Sequence, residues 1–379
     1  MKHVYLDHAA TSPIHPQVID AMARAMEEAY GNPSSSHTFG RQSRRTLNES
    51  REVLADSINA RPHEIVMTSC GTESDNMAVW GTAEKRKDLG RHIITSEIEH
   101  PAVTKALRLL EDRGYEVTYL PVNRKGRISL EDFKSALRED TILVTIMYGN
   151  NEVGTTMPIR EIGQYLKEQE HQACFHTDAV QAYGLVDLDV KDLGIDMLSV
   201  SSHKLNGPKG IGFLYLSDDV ELPPLIVGGG QESGRRAGTE NIPGMAGFAE
   251  AVNIAKENQE EKRQTAFDYG DYLMNGLERI GVDYSVNGDR EHTIGHVLNL
   301  HLHGVAASQF IIQLDLNGIA VSAGSACSAG TVDPSPVLVA MYGEDHPAIT
   351  ESIRFSFGLG TDQEELDYTI QAIEKILKK

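Results

Sequence analysis

Seven apolar runs of strand length recur between residues 64 and 216, and helix-like stretches separate most of them. They are EIVMTS (64–69), HIITSE (92–97), VTYLPV (117–122), TILVTIMYG (141–149), ACFHTDA (173–179), IDMLSVS (195–201) and GIGFLYL (210–216). The intervening AVTKALRLLEDRG and IREIGQYLKEQEH carry apolar residues at helical spacing. This alternation leaves few folds open. A strand followed by a crossover helix pairs in parallel with the next strand, so the pattern predicts an α/β chain with a mostly parallel sheet covered on both faces. The last run follows its neighbour too closely for a crossover and predicts one antiparallel pairing.

After AGTENIPGMAGFAEAV the composition turns polar, and one long polar helix is expected over NIAKENQEEKRQTAFDYGDYLMNGLERI. At 379 residues the chain is too long for one compact core. The shift near residue 255 sets the expected boundary between a large domain (16–255) and a smaller α+β domain (1–15 with 256–379).

The balance of 35 basic and 55 acidic residues gives a net charge of −20, which argues against direct contact with nucleic acid or an anionic membrane. No run approaches the ~18 apolar residues of a membrane helix. The opening MKHVYLDHAATSP has no basic segment leading an apolar one, so no signal peptide is expected. Cys70, Cys174 and Cys327 contain no C-x-x-C and form no disulfide framework, which fits a reducing cytoplasm. Nor is a metal expected at His292, His296, His301 and His303. The first pair has helical spacing, while the second alternates along a strand.

Ligands of open α/β sheets bind beyond the carboxyl ends of the strands. Five strand ends here deliver Thr72, His100, Asn151, Asp178, Gln181, His203 and Lys204 toward one edge. In CGTESDN a glycine precedes Thr72, read as a helix N-cap, and the helix start could hold a phosphate or be an ordinary capped helix. Neither G-x-G-x-x-G nor a P-loop is present. Asp178 and Lys204 admit two readings: a structural ion pair, or a pyridoxal phosphate site. In the second, the lysine forms a Schiff base and the carboxylate pairs with the ring nitrogen. Cys327 lies in SAGSACSAGTVDPS, whose small residues predict a mobile loop over about 322–335. A thiol there would act as its thiolate.

The motifs YLDHAAT, GNPSSSH, GTESDN, EIEHPAV, NNEVG, HTDAVQ, SSHKLNGPKGIG, RRAGTEN, GSACSAG and SIRFSFG run in order from residue 5 to residue 358. Together they resemble the NifS/IscS-type cysteine desulfurases. The resemblance implies the fold-type I aminotransferase architecture, a seven-stranded mostly parallel sheet, a homodimer, and pyridoxal phosphate as cofactor. It implies that Lys204 carries the cofactor and shuttles protons, that Asp178 pairs with the ring nitrogen, and that Gln181 meets the ring hydroxyl. His100 would stack on the ring and assist proton transfer, with Asn151 supporting ring and substrate. Gly71, Thr72, Ser201 and His203 would bind the phosphate, and Thr239 would reach in from the other subunit. Arg354, helped by Asn32, would clamp the substrate carboxylate, a task suited to its planar fork. Cys327 would take sulfur from L-cysteine as a persulfide and leave L-alanine.

Two departures stand out. Ser202 replaces a glycine usual before H-K, and Cys70 replaces a glycine usual before G-T-E. The spacing from Cys327 to Arg354 matches the long-loop members that pass sulfur to partner proteins. The sequence ends on AIEKILKK, without the tail that meets iron–sulfur scaffolds in some relatives. The expected acceptor is therefore a tRNA-thiolation protein in preference to an iron–sulfur scaffold. Competing readings are a selenocysteine lyase or another pyridoxal enzyme of this fold, and a non-catalytic sulfur-carrier subunit.

Overall fold

The computed structural model describes residues 2–257, 259–323 and 334–378. Strand β1 (Val4–Tyr5) opens the chain. The seven apolar runs follow as β2 (Ile65–Thr68), β3 (His92–Ser96), β4 (Glu116–Leu120), β5 (Thr141–Thr145), β6 (Cys174–Asp178), β7 (Met197–Ser201) and β8 (Gly212–Leu216). They form one sheet in the order β2-β8-β7-β6-β5-β3-β4. The pairs β3–β4, β3–β5, β5–β6 and β6–β7 are parallel. The expected antiparallel pairing is β7–β8, and β8 also pairs antiparallel with β2, which the sequence spacing did not predict.

Every residue of β5, β6 and β7 is buried, as expected for strands covered on both faces. Two buried histidines inside the sheet are paired with neighbouring hydroxyls. His92 meets Thr141 Oγ1 at 2.7 Å and Thr118 Oγ1 at 2.8 Å, and His176 meets Thr145 Oγ1 and Ser199 Oγ at 2.8 and 2.9 Å. Burial without such partners would cost about 1–3 kcal/mol per group.

The remainder of the chain adds β9 (Tyr284–Asn287), β10 (Val297–Leu302), β11 (Ile319–Ala320) and β12 (Ser352–Ser356). β12, β10 and β9 form an antiparallel sheet in that order, and β11 pairs in parallel with β1. Leu298, Leu300, Phe310, Phe355, Leu366 and Ile373 pack a second core here. The single long helix expected after residue 252 is two helices, Ile242–Lys256 and Gln259–Arg279, with Glu257 extended between them (φ −65°, ψ 113°). The physical reason is the change of core. Phe248 and Val252 bury in the seven-stranded body, whereas Ala266, Leu273 and Leu277 bury against β10 and its neighbours. Among the described residues no helix is long and apolar enough to cross a membrane.

The helix Ile159–Glu168 lies directly on backbone. A Cβ at Gly163 would stand 2.1 Å from the Leu193 carbonyl oxygen and 3.0 Å from that of Gly194. Gly163→Ala is expected to lower the unfolding free energy by about 2 kcal/mol. Overpacking against rigid backbone, near ~3 kcal/mol, outweighs the ~1 kcal/mol gained in helix propensity. Urea denaturation of the two proteins measures the difference.

Candidate active site

β6 ends on Asp178 and its parallel neighbour β7 ends on Ser201, so both chains leave the sheet at one edge. A single 3₁₀ turn, Ser202–Lys204, follows β7 and carries the lysine. The Lys204 Nζ donates to the carbonyls of Ala9 (2.6 Å) and Ala10 (2.9 Å). Gln181 Nε2 donates to the same Ala9 carbonyl at 2.9 Å. The N-terminal DHAAT segment therefore joins the lysine to the turn after β6. Burial, then the nearby Arg354 charge, pulls the Lys204 amine down to about 8, against the opposing pull of Asp178 and Asp7.

Asp178 is buried and accepts the Val180 N–H at 2.9 Å. Burial raises its pKa, and the His100 ring and the Lys204 amine oppose that rise. His100 caps the helix Pro101–Glu111, its Nδ1 accepting the Ala102 N–H at 3.1 Å, which leaves the ring proton on Nε2. Burial lowers the His100 pKa, so the ring is neutral at pH 7. Asp75, His100 and Asp178 each place a titratable atom within 4.8 Å of the others. Asp75 is fully buried and pushed well up, by burial first and then by Asp178. Glu99, pushed up to about 8 by burial, accepts the Met147 N–H at 2.9 Å and the Ser96 hydroxyl at 2.5 Å. Asp75 and Glu99 stand inside GTESDN and EIEHPAV, yet carry no role in the sequence reading, because an acid's burial cannot be seen without the fold.

The helix Gly71–Arg86 points its start at the same place. Its N-cap is Cys70, so the N-cap expected at Thr72 is corrected. Cys70 already holds the extended backbone (φ −176°, ψ 172°) that precedes a helix, and Thr72 is an exposed residue of the first turn. A Cβ on Gly71 would fall 2.6 Å from Val180 Cγ2 and 3.6 Å from Ser201 Cβ, so only glycine lets the helix start lie against both strand ends. Ser201 Oγ, Ser202 Oγ and Gln181 Oε1 are buried without hydrogen-bond partners among the described residues. His203 approaches Thr11 Oγ1 at 3.1 Å, and burial, then Lys204, takes its pKa down to about 4. An amine, a buried carboxylate, unpaired hydroxyls and a helix start around one space match the aldehyde, ring nitrogen and phosphate of pyridoxal phosphate.

Arg354 stands in β12 with its side chain 4% exposed. Its Nη2 pairs with Asp7 Oδ1 at 2.8 Å and its Nη1 donates to the Asn151 carbonyl at 2.8 Å. Asp7 has no role in the sequence reading; an acid in YLDHAAT far from the arginine in sequence gives no signal of their pairing. Asn151 meets Arg354 through its backbone. The neighbouring Asn150 is the buried side chain, holding the Ile98 carbonyl and the Glu152 and Val153 N–H groups. Asn32 is exposed in the turn before the helix Thr38–Asp56, accepting the Ser34 N–H at 2.9 Å. Thr239 is also exposed, in a segment tied down by Arg236–Glu73 (2.8 Å) and Arg51–Glu232 (2.6 Å).

Cys327, with residues 324–333 of the expected loop, lies outside the described residues. The flanks of that segment are both described. Ser322 exchanges backbone hydrogen bonds with Arg354, and Ser335 Oγ donates to Glu152 Oε2, one residue from Asn151. Cys174, by contrast, is buried in β6, and burial pushes its thiol up to about 12, which makes it unreactive. Cys70 is half-buried beside Ser69 Oγ at 3.6 Å.

The model of the Aminotransferase class-V family matches residues 4–369. The chain is 52% identical over 379 residues to the "Putative cysteine desulfurase IscS 1" of Bacillus subtilis strain 168, covering all of both chains. It is 43% identical to the "Cysteine desulfurase IscS" of Dictyoglomus turgidum, covering all of this chain and 95% of that one. A solved "NIFS-LIKE PROTEIN" superposes with a TM-score of 0.93 at 35% identity over the whole of both chains.

Proposed function

We propose, from the premise that this chain belongs to the class-V aminotransferase family, that it moves sulfur from L-cysteine through Cys327 to an acceptor protein. It is a pyridoxal phosphate-dependent cysteine desulfurase. Pyridoxal phosphate, when bound, supplies an electron-withdrawing ring that stabilises negative charge next to the substrate amine. Lys204, Asp178, His100, Gln181, Ser201, His203, Gly71 and Thr72 would hold it, the carboxylate at the ring nitrogen and the helix start at the phosphate. The observation that carries this reading is that Asp178 and Lys204 follow adjacent parallel strands, at the same sheet edge as Ser201 Oγ and Gln181 Oε1, which are buried and unpartnered among the described residues.

The chain's own groups divide the work. Arg354, pinned by Asp7 and the Asn151 carbonyl, presents a fixed guanidinium to the substrate carboxylate. Lys204 Nζ, with an amine pKa of about 8, is able to take a proton from the substrate α-carbon and return one later. The neutral His100 holds a proton at Nε2 within the same group. Cys327 Sγ attacks the substrate sulfur as thiolate. The carbon–sulfur bond breaks with its electron pair going to carbon, the sulfur–sulfur bond forms, and L-alanine leaves. L-cysteine and one thiol give L-alanine and one persulfide, so no outside oxidant or reductant is needed.

The working unit is a homodimer in which Thr239 enters the partner's site. Its support is the exposure of Thr239 together with the exposed apolar Leu225, Ile226 and Val227 of the same segment. The acceptor we propose is a tRNA-thiolation protein in preference to an iron–sulfur scaffold; the long spacing from Cys327 to Arg354 supports transfer to a partner protein of either kind, and the label-transfer test below decides between them.

Alanine and sulfide release from L-cysteine, with and without a thiol reductant, tests the central step. Cys327→Ser is expected to lower alanine release by ~10²-fold or more while the yellow cofactor band persists. Full activity in that variant would mean direct elimination, as in a lyase. With ³⁵S-cysteine, label should pass faster to a thiouridine-forming protein than to a scaffold, and the opposite order would overturn the acceptor assignment.

A further inference from the structure

On the face of the β9–β10–β12 sheet that also carries Arg354, beyond the end of β10, a cleft of about 460 Å³ gathers ionisable side chains that the desulfurase chemistry does not use. The strand alternation expected for His301 and His303 does not hold, because β10 ends at Leu302 and His303 follows the strand. The chain turns there, and the two imidazole centroids come within 4.2 Å. His301 Nε2 lies 2.8 Å from Glu351 Oε2, and His301, His303 and Glu351 place their ligand-type atoms within 4.8 Å of one another.

We propose that His301, His303 and Glu351 form a binding site for one divalent transition-metal ion of the zinc class. Two imidazoles and one carboxylate are a donor set that zinc and its neighbours accept, with further positions left for water. Ions such as Mg²⁺ and Ca²⁺ prefer all-oxygen sets and fit it poorly. The carboxylate is held in place from behind, since the Gly304 N–H donates to Glu351 Oε2 at 2.9 Å, the kind of outer support that metal-ligating carboxylates have. His301 is held by the ladder, opposite Ser352 of β12 and Ser285 of β9. His303 is exposed and opens the site to solvent. His346 is a wall and not a ligand. Its Nδ1 accepts the Ala348 N–H at 3.2 Å, and its ring stacks on Tyr342 with centroids 4.7 Å apart.

The location gives the ion a consequence. Glu351 is followed directly by β12, which carries Arg354, so an ion shared by His301, His303 and Glu351 would fasten the end of β10 to the start of that strand. The test is equilibrium dialysis of the holoenzyme against Zn²⁺, in a Cys327→Ser background so that this thiol does not compete. One saturable equivalent per chain is expected, weakened at least tenfold by His303→Ala and by Glu351→Gln. Zn²⁺ should also raise the melting temperature of the parent but of neither variant. Absence of saturable binding, or binding unchanged in both variants, would overturn the site. The exposed position of His303 keeps its variant folded, so the comparison does not depend on tolerance at the buried His301.

Discussion

Lys204→Ala is expected to lower alanine release from L-cysteine by at least ~10⁴-fold and to abolish covalent attachment of pyridoxal phosphate. No neighbour can take over the two tasks proposed for the amine, since the other basic groups at the site are neutral imidazoles or the pinned Arg354. The wild-type protein should also show why this lysine attacks an aldehyde near neutral pH. Only the unprotonated amine is a nucleophile. With its pKa drawn down to about 8 by burial and Arg354, the free-amine fraction at pH 7 is on the order of 10²-fold larger than for an ordinary lysine. The free amine grows as pH rises, so the rate of cofactor attachment to the apoprotein should climb between pH 7 and 9 and level off above. The growth of the yellow band after mixing measures it. A rate still climbing steeply past pH 10 would show an ordinary lysine and sink the argument.

The sheet is legible in the sequence because strands buried on both faces must be continuously apolar, and all seven runs return as β2 to β8. The strand-end rule also finds Lys204, Asp178, Gln181 and His100, because it needs only the order of runs and the residues that follow each. What it cannot find is contact between distant segments. Asp7 pairs with Arg354 across 347 residues, and the Ala9 carbonyl receives both Lys204 and Gln181 through its backbone, which leaves no trace in residue type. The N-cap moves from Thr72 to Cys70 because capping is decided by backbone angles, and the polar helix splits because its two halves serve different cores. The histidines of β10 mislead for the opposite reason. Alternation is a reliable guide only inside a strand, and His303 is one residue past its end.

The buried acids beneath the lysine carry the second large expectation. Asp75 and Asp178 are both buried and belong to one group within 4.8 Å, where two negative charges without water repel strongly. The pair therefore holds one charge. Asp178 keeps it, because the Val180 N–H and the Lys204 amine favour its ionised form, while Asp75 is pushed well up by burial and by Asp178 itself. Asp178→Asn removes the charge that would face the ring nitrogen and should cost at least ~10²-fold in turnover, with weaker cofactor retention. Asp75→Asn replaces a neutral acid by a neutral amide of the same shape and should cost less than ~10-fold. Turnover and cofactor dissociation measured on both variants separate the roles. Equal losses would mean that the charge is shared between the two, and a larger loss at Asp75 would place the counter-ion there.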